Sequence, residues 1–285
     1  MSDMNVAGEY AQSIERLTKD LREAARSLSA REARFLVDAY YQMQRDRIRS
    51  LHQERTQNEG AEPHAVLGWV LGQRETLERR VAGALDIYSG AHRAGVWARG
   101  IVGIGPIITA GLLAHIDIAR APTVGHVWRF AGLDPTLKWE RGQKRPWNGA
   151  LKRLCWLIGE SFVKVSNRED DVYGKVYRER KDLELARNGV GLFAEQAAAS
   201  LAAKRWGEDT VARKAYEAGK LPPARLHLRA QRYAVKLFLA HFHHVLHEVE
   251  LGTPPPKPYV LTHGGHAHYV GPPNWPVQPR SSRVP

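Results

Sequence analysis

From Tyr10 to about Arg55, apolar residues recur every three or four positions: Ile14, Leu17 and Leu21, then Leu36, Tyr40, Met43 and Leu51. That is a helical period. Ser29 followed by Glu32 fits a capping box, so a second helix is expected to start there. The stretch from Asn58 to Pro63 breaks the pattern and reads as a connection. A third helix follows with Val66, Val70, Leu77, Val81 and Leu85 along one side and Gly90 as its stop. Residues 1–90 therefore predict an antiparallel helical hairpin or coiled-coil arm, suited to scaffolding or self-association.

Residues 91–165 keep the helical pattern but are punctuated by glycine and proline. Residues 166–220 carry helix-forming runs, notably Ala194 to Arg205, ahead of Pro222-Pro223. A last strong helix is expected from about Ala224 to Leu251, with Val235, Leu239, Phe242 and Leu246 on its apolar side. Pro254-Pro255-Pro256 and Pro272-Pro273 then stop regular structure, so residues 253–285 read as a Pro/His-rich extended tail. No strand alternation and no internal repeat is seen. The prediction is an all-α protein: an arm (1–90), a helical domain (91–252) and the tail (253–285).

Composition changes this picture through charge. The 285 residues carry 42 Lys/Arg and 30 Asp/Glu, a net charge of +12. Residues 1–100 hold 15 basic and 14 acidic side chains and residues 166–220 hold 11 and 10, so both are nearly neutral. The excess lies in residues 101–165, with 9 against 4, and in residues 221–285, with 7 against 2. Charge concentrated in this way attracts a polyanion and gains entropy from counterion release, which makes nucleic acid the leading partner class. Basic surface that serves only solubility is the plainer alternative. The single cysteine, Cys155, excludes an internal disulfide and a multi-cysteine zinc site. No apolar run is long enough for a membrane span and the first residues are polar and acidic, so no membrane partner, no secretory signal and a cytoplasmic location are expected.

The segment from Arg99 to Ala110, Arg-Gly-Ile-Val-Gly-Ile-Gly-Pro-Ile-Ile-Thr-Ala, carries the sharpest local signal. One helix is expected to end near Arg99 and another to open at Pro106, whose missing N–H is no loss at a first helical position. Gly103 and Gly105, on either side of Ile104, allow a sharp turn whose N–H groups suit a phosphate. The pattern looks like a helix-hairpin-helix motif, which grips DNA phosphates without reading bases; the alternative is a tight helix–helix turn with no ligand.

Downstream the chain reads Trp128-Arg-Phe-Ala-Gly-Leu-Asp-Pro135, then Gly142, then Asn148-Gly-Ala-Leu-Lys-Arg153. Together with Gly103-Ile-Gly-Pro106, this order resembles the carboxy-terminal transposase domain of the "IS one-ten" insertion-sequence family over roughly residues 65–165. Ile101, Gly103 to Pro106, Ala131 to Leu133, Pro135, Gly142, Asn148, Leu151 and Lys152 match its pattern. The resemblance implies DNA binding in transposition or recombination. It departs in two places. The family's RuvC-like DEDD metal-binding domain is expected to be absent, since no alternating strands with spaced carboxylates precede the arm. The family's nucleophilic serine falls at Lys144, which cannot form a phosphodiester link as a hydroxyl does. Ser161 and Ser166 remain as substitutes that need a rebuilt site. Catalytic residues are therefore unassigned and no cofactor is called for; DNA binding is expected, and any chemistry retained would be the DNA strand exchange of a transposase or recombinase.

The strip Lys138, Arg141, Lys144, Arg145, Lys152 and Arg153 is interleaved with Trp139, Trp147 and Trp156. The cations suit phosphates, and an exposed indole can stack on an unpaired base. Trp156, close behind Leu151 and Leu154, is expected in the core; for Trp139 and Trp147 packing and stacking both stay open. The candidate DNA-binding set is thus Arg99, Gly103, Ile104, Gly105, Thr109, Lys138, Arg141, Lys144, Arg145, Asn148, Lys152 and Arg153. The partner is duplex or junction DNA, with RNA left open, and the N-terminal helices are expected to form a homo-oligomer. Two other readings stand beside this one. The first is a non-catalytic oligomeric regulator of a recombination complex. The second is a metal site on His243 and His247, completed by His263, His266 and His268, against which stand the missing cysteines and the absence of an H-E-x-x-H pattern.

Overall fold

The computed structural model describes residues 16–58, 64–256 and 270–276. Among them every regular element is helical: eleven α-helices, one short 3-10 turn and no strand. The all-α expectation holds. Among the described residues no helix is long and apolar enough to cross a membrane. The chain forms two compact units. One comprises the described parts of residues 1–99 and 105–117, the other residues 100–104 and the described parts of 118–285.

The first unit holds α1 (Lys19–Arg26), α2 (Ala30–Asn58), α3 (Ala65–Ala91), α4 (Arg93–Arg99) and α5 (Pro106–His115). The expected capping box opens α2. The Ser29 N–H donates to Glu32 Oε2 at 2.7 Å, and the Glu32 N–H donates back to Ser29 Oγ at 3.3 Å. Two donors at the helix start are satisfied reciprocally. Between α2 and α3, Arg47 pairs with Glu78 at 2.7 Å and Arg74 donates to Ser50 Oγ at 2.7 Å. The core gathers Ala33 and Val37 of α2, Leu85 and Tyr88 of α3, and Ala110 and Ala114 of α5.

Helix α3 ends at Ala91, one residue past the stop expected at Gly90. A side chain at Gly90 would stand 2.6 Å from the Arg99 guanidinium, so this glycine makes room for Arg99. The first unit runs beyond the expected arm of residues 1–90 and takes in α4 and α5 as well. The apolar side of α3 is also buried in one half only. Leu85 is buried, whereas Val66 and Leu77 are 58% and 43% exposed, with Trp69 at 48%. The reason is packing partners: α5 covers the end near Leu85, and two helices alone cannot enclose a full stripe.

The second unit holds the 3-10 turn (Ile118–Arg120), α6 (Val124–Phe130), α7 (Gly149–Val165), α8 (Tyr173–Gly189), α9 (Ala194–Ala202), α10 (Val211–Glu217) and α11 (Pro223–Leu251). Helix α11 begins and ends within a residue of its expected bounds and packs against α6, α7 and α8. Phe162, Tyr173 and Phe238 meet at its centre, the first two stacked at 4.9 Å and Phe238 edge-on to Tyr173 at 5.2 Å. A second small cluster joins Phe193, Ala197, Tyr216, Leu221 and Leu226. Fully buried Glu184 of α8 ties α8 to α11, ion-paired with Arg180 and accepting a hydrogen bond from Arg229 at 2.7 Å. Of the tail, residues 254–256 and 270–276 lack regular structure and Trp275 Nε1 donates to Glu248 at 2.6 Å; the rest, with the segment containing Tyr10 and Ile14, lies outside the described residues.

Candidate nucleic-acid interface

The basic loop between α6 and α7 is closed at its base. The Asn148 N–H donates to Phe130 O at 2.9 Å, and the Leu133 N–H donates to Trp128 O at 2.8 Å. Asn148 also caps α7, its Oδ1 accepting from the Leu151 N–H at 2.9 Å. Gly132 sits at φ +66°, and a Cβ there would lie 2.8 Å from the Trp147 ring. The indole therefore packs directly on the glycine backbone, which no other residue permits. Asn148 and Gly132 hold the base of the loop.

The loop's cations meet its rings. Lys152 Nζ lies 3.9 Å from the Trp147 ring centroid, and the Arg145 guanidinium lies 5.2 Å from that of Trp139. Trp139 is further fixed by its N–H, which donates to Gln143 O at 2.8 Å. Lys138, Arg141, Lys144, Arg145, Lys152 and Arg153 are all exposed. The loop's carboxylates are occupied locally: Asp134 Oδ1 accepts from the Thr136 N–H and hydroxyl, and Glu140 accepts from Gln143. Those two bonds from Thr136 hold Asp134 below the ordinary carboxylate range.

Burial against Trp147, and then the positive charges of Arg232 and Arg145, hold the Lys152 ammonium below the usual lysine range. Arg232, on α11, is itself held low by packing around it and by the guanidiniums of Arg229 and Arg225. Neighbouring guanidiniums thus act on both Lys152 and Arg232. Like charges drawn together cost free energy that a bound polyanion returns. Arg232 lay outside the sequence-derived set. Its signal was the +5 excess of residues 221–285, which gave the charge but not the face.

Trp156 departs from its expected place. It is 53% exposed rather than in the core. The buried stripe of α7 is Leu151, Leu154, Cys155, Ile158, Gly159 and Phe162. At 100° per residue Trp156 falls off that stripe, between the directions of Lys152 and Arg153.

The remaining candidates divide between the two units. Gly103 and Ile104 belong to the second, Arg99, Gly105 and Thr109 to the first. Helix α4 ends at Arg99 and α5 opens with Pro106 in its first turn and Gly105 as cap, as expected. Ile104 is a core side chain, 4% exposed, and its N–H donates to Ile101 O at 2.9 Å. Thr109 is fully buried, with its hydroxyl donating to Gly105 O at 3.0 Å, so it cannot meet a ligand at the surface. Arg99 pairs with Asp86 and donates to the Asp86 carbonyl, which commits its guanidinium within the first unit.

The serines held in reserve are used structurally. The Ser161 hydroxyl donates to Gly103 O and that of Ser166 donates to Val163 O. Histidines of α11 are likewise engaged. His243 Nε2 donates to Ala121 O at 2.7 Å and His247 Nδ1 donates to Thr253 O at 2.6 Å. Among the described residues no group of three or more His, Cys, Asp or Glu side chains is placed to hold a metal ion; His263, His266 and His268 lie outside them. Cys155 is buried, and burial pushes its thiol up to about 12. A thiol so protonated is inert as a nucleophile.

Comparison with known proteins finds no matching protein family, no matching curated protein and no matching solved structure.

Proposed function

We propose that this chain binds DNA through the second unit, on the surface formed by the 131–148 loop, the exposed face of α7 and Arg232 of α11. The observation that carries the reading is the run of exposed cations Lys138, Arg141, Lys144, Arg145, Lys152 and Arg153 along the loop and α7, with Lys152 and Arg145 seated over Trp147 and Trp139 and the positive charges of Arg232 and Arg145 both acting on Lys152. Phosphates supply counter-charge to such a run. The resemblance of the motif order to the transposase domain of the "IS one-ten" family supports a role in transposition or recombination. Gly103 and Ile104, in the turn between α4 and α5, correspond to that family's hairpin, although the Ile104 N–H and the Gly103 carbonyl are bonded to Ile101 and Ser161. With Lys144 at the family's serine position, and the Ser161 and Ser166 hydroxyls donating to carbonyls, DNA binding rather than strand chemistry is the function proposed for this chain.

The test is fluorescence anisotropy with labelled duplex and four-way-junction DNA over a salt series, for the wild type and the Lys144→Glu/Arg145→Glu pair. Affinity that falls steeply with salt is expected, with a shallower slope and weaker binding in the variant. Equal binding by both proteins removes the loop from the interface.

A second reading has its own observation. Helices α2 and α3 act as an arm whose outer part leaves Val66, Leu67, Trp69 and Leu77 between 42% and 58% exposed. Such a stripe suits self-association, and the protein then regulates a recombination complex as an oligomer. Sedimentation of the wild type and of Val66→Glu/Trp69→Glu decides this: a shift from oligomer to monomer supports it and identical behaviour refutes it.

A further inference from the structure

We infer that the same surface is built for unpaired DNA, with Trp139 and Trp156 as stacking platforms and Arg145, Lys152 and Arg232 as phosphate clamps. This rests on the DNA-binding reading and specifies its substrate.

The two rings are the reason. Trp139 is 43% exposed and Trp156 is 53% exposed, on the surface where the cations gather. Large indoles left in water are costly unless something covers them. A duplex covers them poorly, because its bases are already stacked and its outer surface is phosphate and sugar. A base released from pairing offers a flat apolar face, and every base has one, so stacking needs no sequence match. Trp139 meets the second requirement of such a platform, which is that the ring be held before the ligand arrives. Its N–H is tied to Gln143 O at 2.8 Å and the Arg145 guanidinium lies 5.2 Å from its centroid. Trp156 stands one helical turn beyond Lys152, whose ammonium is itself seated over Trp147 at 3.9 Å. Exposed rings and exposed cations are thus both present on the loop and on the outer face of α7, the two kinds of group that a single strand's bases and phosphates require.

The occupant assigned is DNA, following the DNA-binding reading. The exposed cations and rings of the loop and α7 engage backbone and base and do not depend on the sugar.

The experiment uses the full chain and three labelled probes: a 20-nucleotide oligo-dT, a 20-base-pair duplex, and a duplex carrying a central unpaired gap. An oligo-U of equal length is the fourth arm. The single strand and the gapped duplex are expected to bind more tightly than the plain duplex. Trp139→Ala/Trp156→Ala is expected to weaken the single strand by on the order of tenfold per ring while changing duplex binding less than about twofold. Trp139→Phe/Trp156→Phe should recover part of the loss, and Lys152→Glu/Arg232→Glu should weaken every probe. Circular dichroism and melting curves of each variant show that the fold is kept. Unchanged single-strand affinity in the alanine pair, or a preference for plain duplex, overturns the stacking inference and leaves DNA binding in place. Tight binding of oligo-U alone overturns the assignment to DNA. No binding of any probe at low salt overturns the DNA-binding reading itself, and the inference with it.

Discussion

The hydroxyl of Ser161, in the middle of α7, donates a hydrogen bond to the carbonyl of Gly103, 58 residues earlier in the chain. Gly103 holds φ +90°, and a Cβ there would meet Ser161 Oγ at 3.0 Å and Val165 at 3.2 Å. The turn is thus fixed twice, by a backbone conformation that only glycine adopts freely and by a side chain that reads its carbonyl. Gly103→Ala is expected to lose roughly 1–3 kcal/mol of stability. Ser161→Ala is expected to lose about 1 kcal/mol. Chemical denaturation of both single variants and the double variant measures this, and the double variant should lose less than the sum because the sites touch.

Asn148 acts on α7 before it acts on any ligand. Its side chain caps the helix and its N–H closes the loop on Phe130 O. Asn148→Ala should cost about 1 kcal/mol, and Asn148→Ser should restore most of it. DNA affinity, measured well below the melting temperature, is expected to be the same for all three proteins. A specific loss of affinity in the serine variant would give Asn148 a direct contact.

Glu184 is fully buried between Arg180 and Arg229, whose side chains stay 24% and 29% exposed. Arg180 also lies over Tyr233 and Arg229 over Phe193, each at 4.6 Å. Removing the carboxylate leaves two cations packed on rings without their counter-charge. Glu184→Gln is expected to destabilise by about 3 kcal/mol, seen as a lowered denaturation midpoint. Arg229→Ala should cost less, since Arg180 still meets the carboxylate.

His241 makes the second unit sensitive to acid. Its Nε2 faces Val270 O at 2.8 Å and must carry the proton, because a carbonyl only accepts; Nδ1 then accepts from the Tyr173 hydroxyl at 2.8 Å. Burial holds His241 down at about 4. The unfolded chain takes up the proton at about 6.5. The folded value is the lower one, so stability is fully present above that pH, declines between about 6.5 and 4, and levels off below. The loss is on the order of 3 kcal/mol. His243, held low by burial beside Ala121 O, adds to it with the same sign. Denaturation midpoints from neutral pH to pH 4 should fall in the wild type and fall less steeply in His241→Gln, which starts lower; parallel curves would argue against His241 as the source.

How much was legible in the residues follows from the range of each interaction. Ser29 and Glu32 announced the start of α2, Gly105 and Pro106 that of α5, and the period of Val235, Leu239, Phe242 and Leu246 that of α11. Each depends on bonds between residues within about four positions, or on a repeat that runs through one helix. The all-α character and the segments of excess positive charge were readable for the same reason. Trp156 was in part readable too, since its angle from the stripe of Leu151, Leu154 and Ile158 follows from helix geometry; its closeness in sequence to Leu154 pointed the other way.

Other features depended on which helices meet. Only the packing of α11 on α7 brings the charge of Arg232 to bear on Lys152, 80 positions away along the chain. Only burial beneath neighbouring helices shows that Thr109 and Ile104 belong to the core, or that His241 and His243 serve carbonyls. Local sequence determines which helices form and where they stop, because caps, turns and periodicity act over a few residues. Tertiary structure decides which face of each helix is covered and which charges are left together, because burial is a property of the whole surrounding and no residue carries it alone.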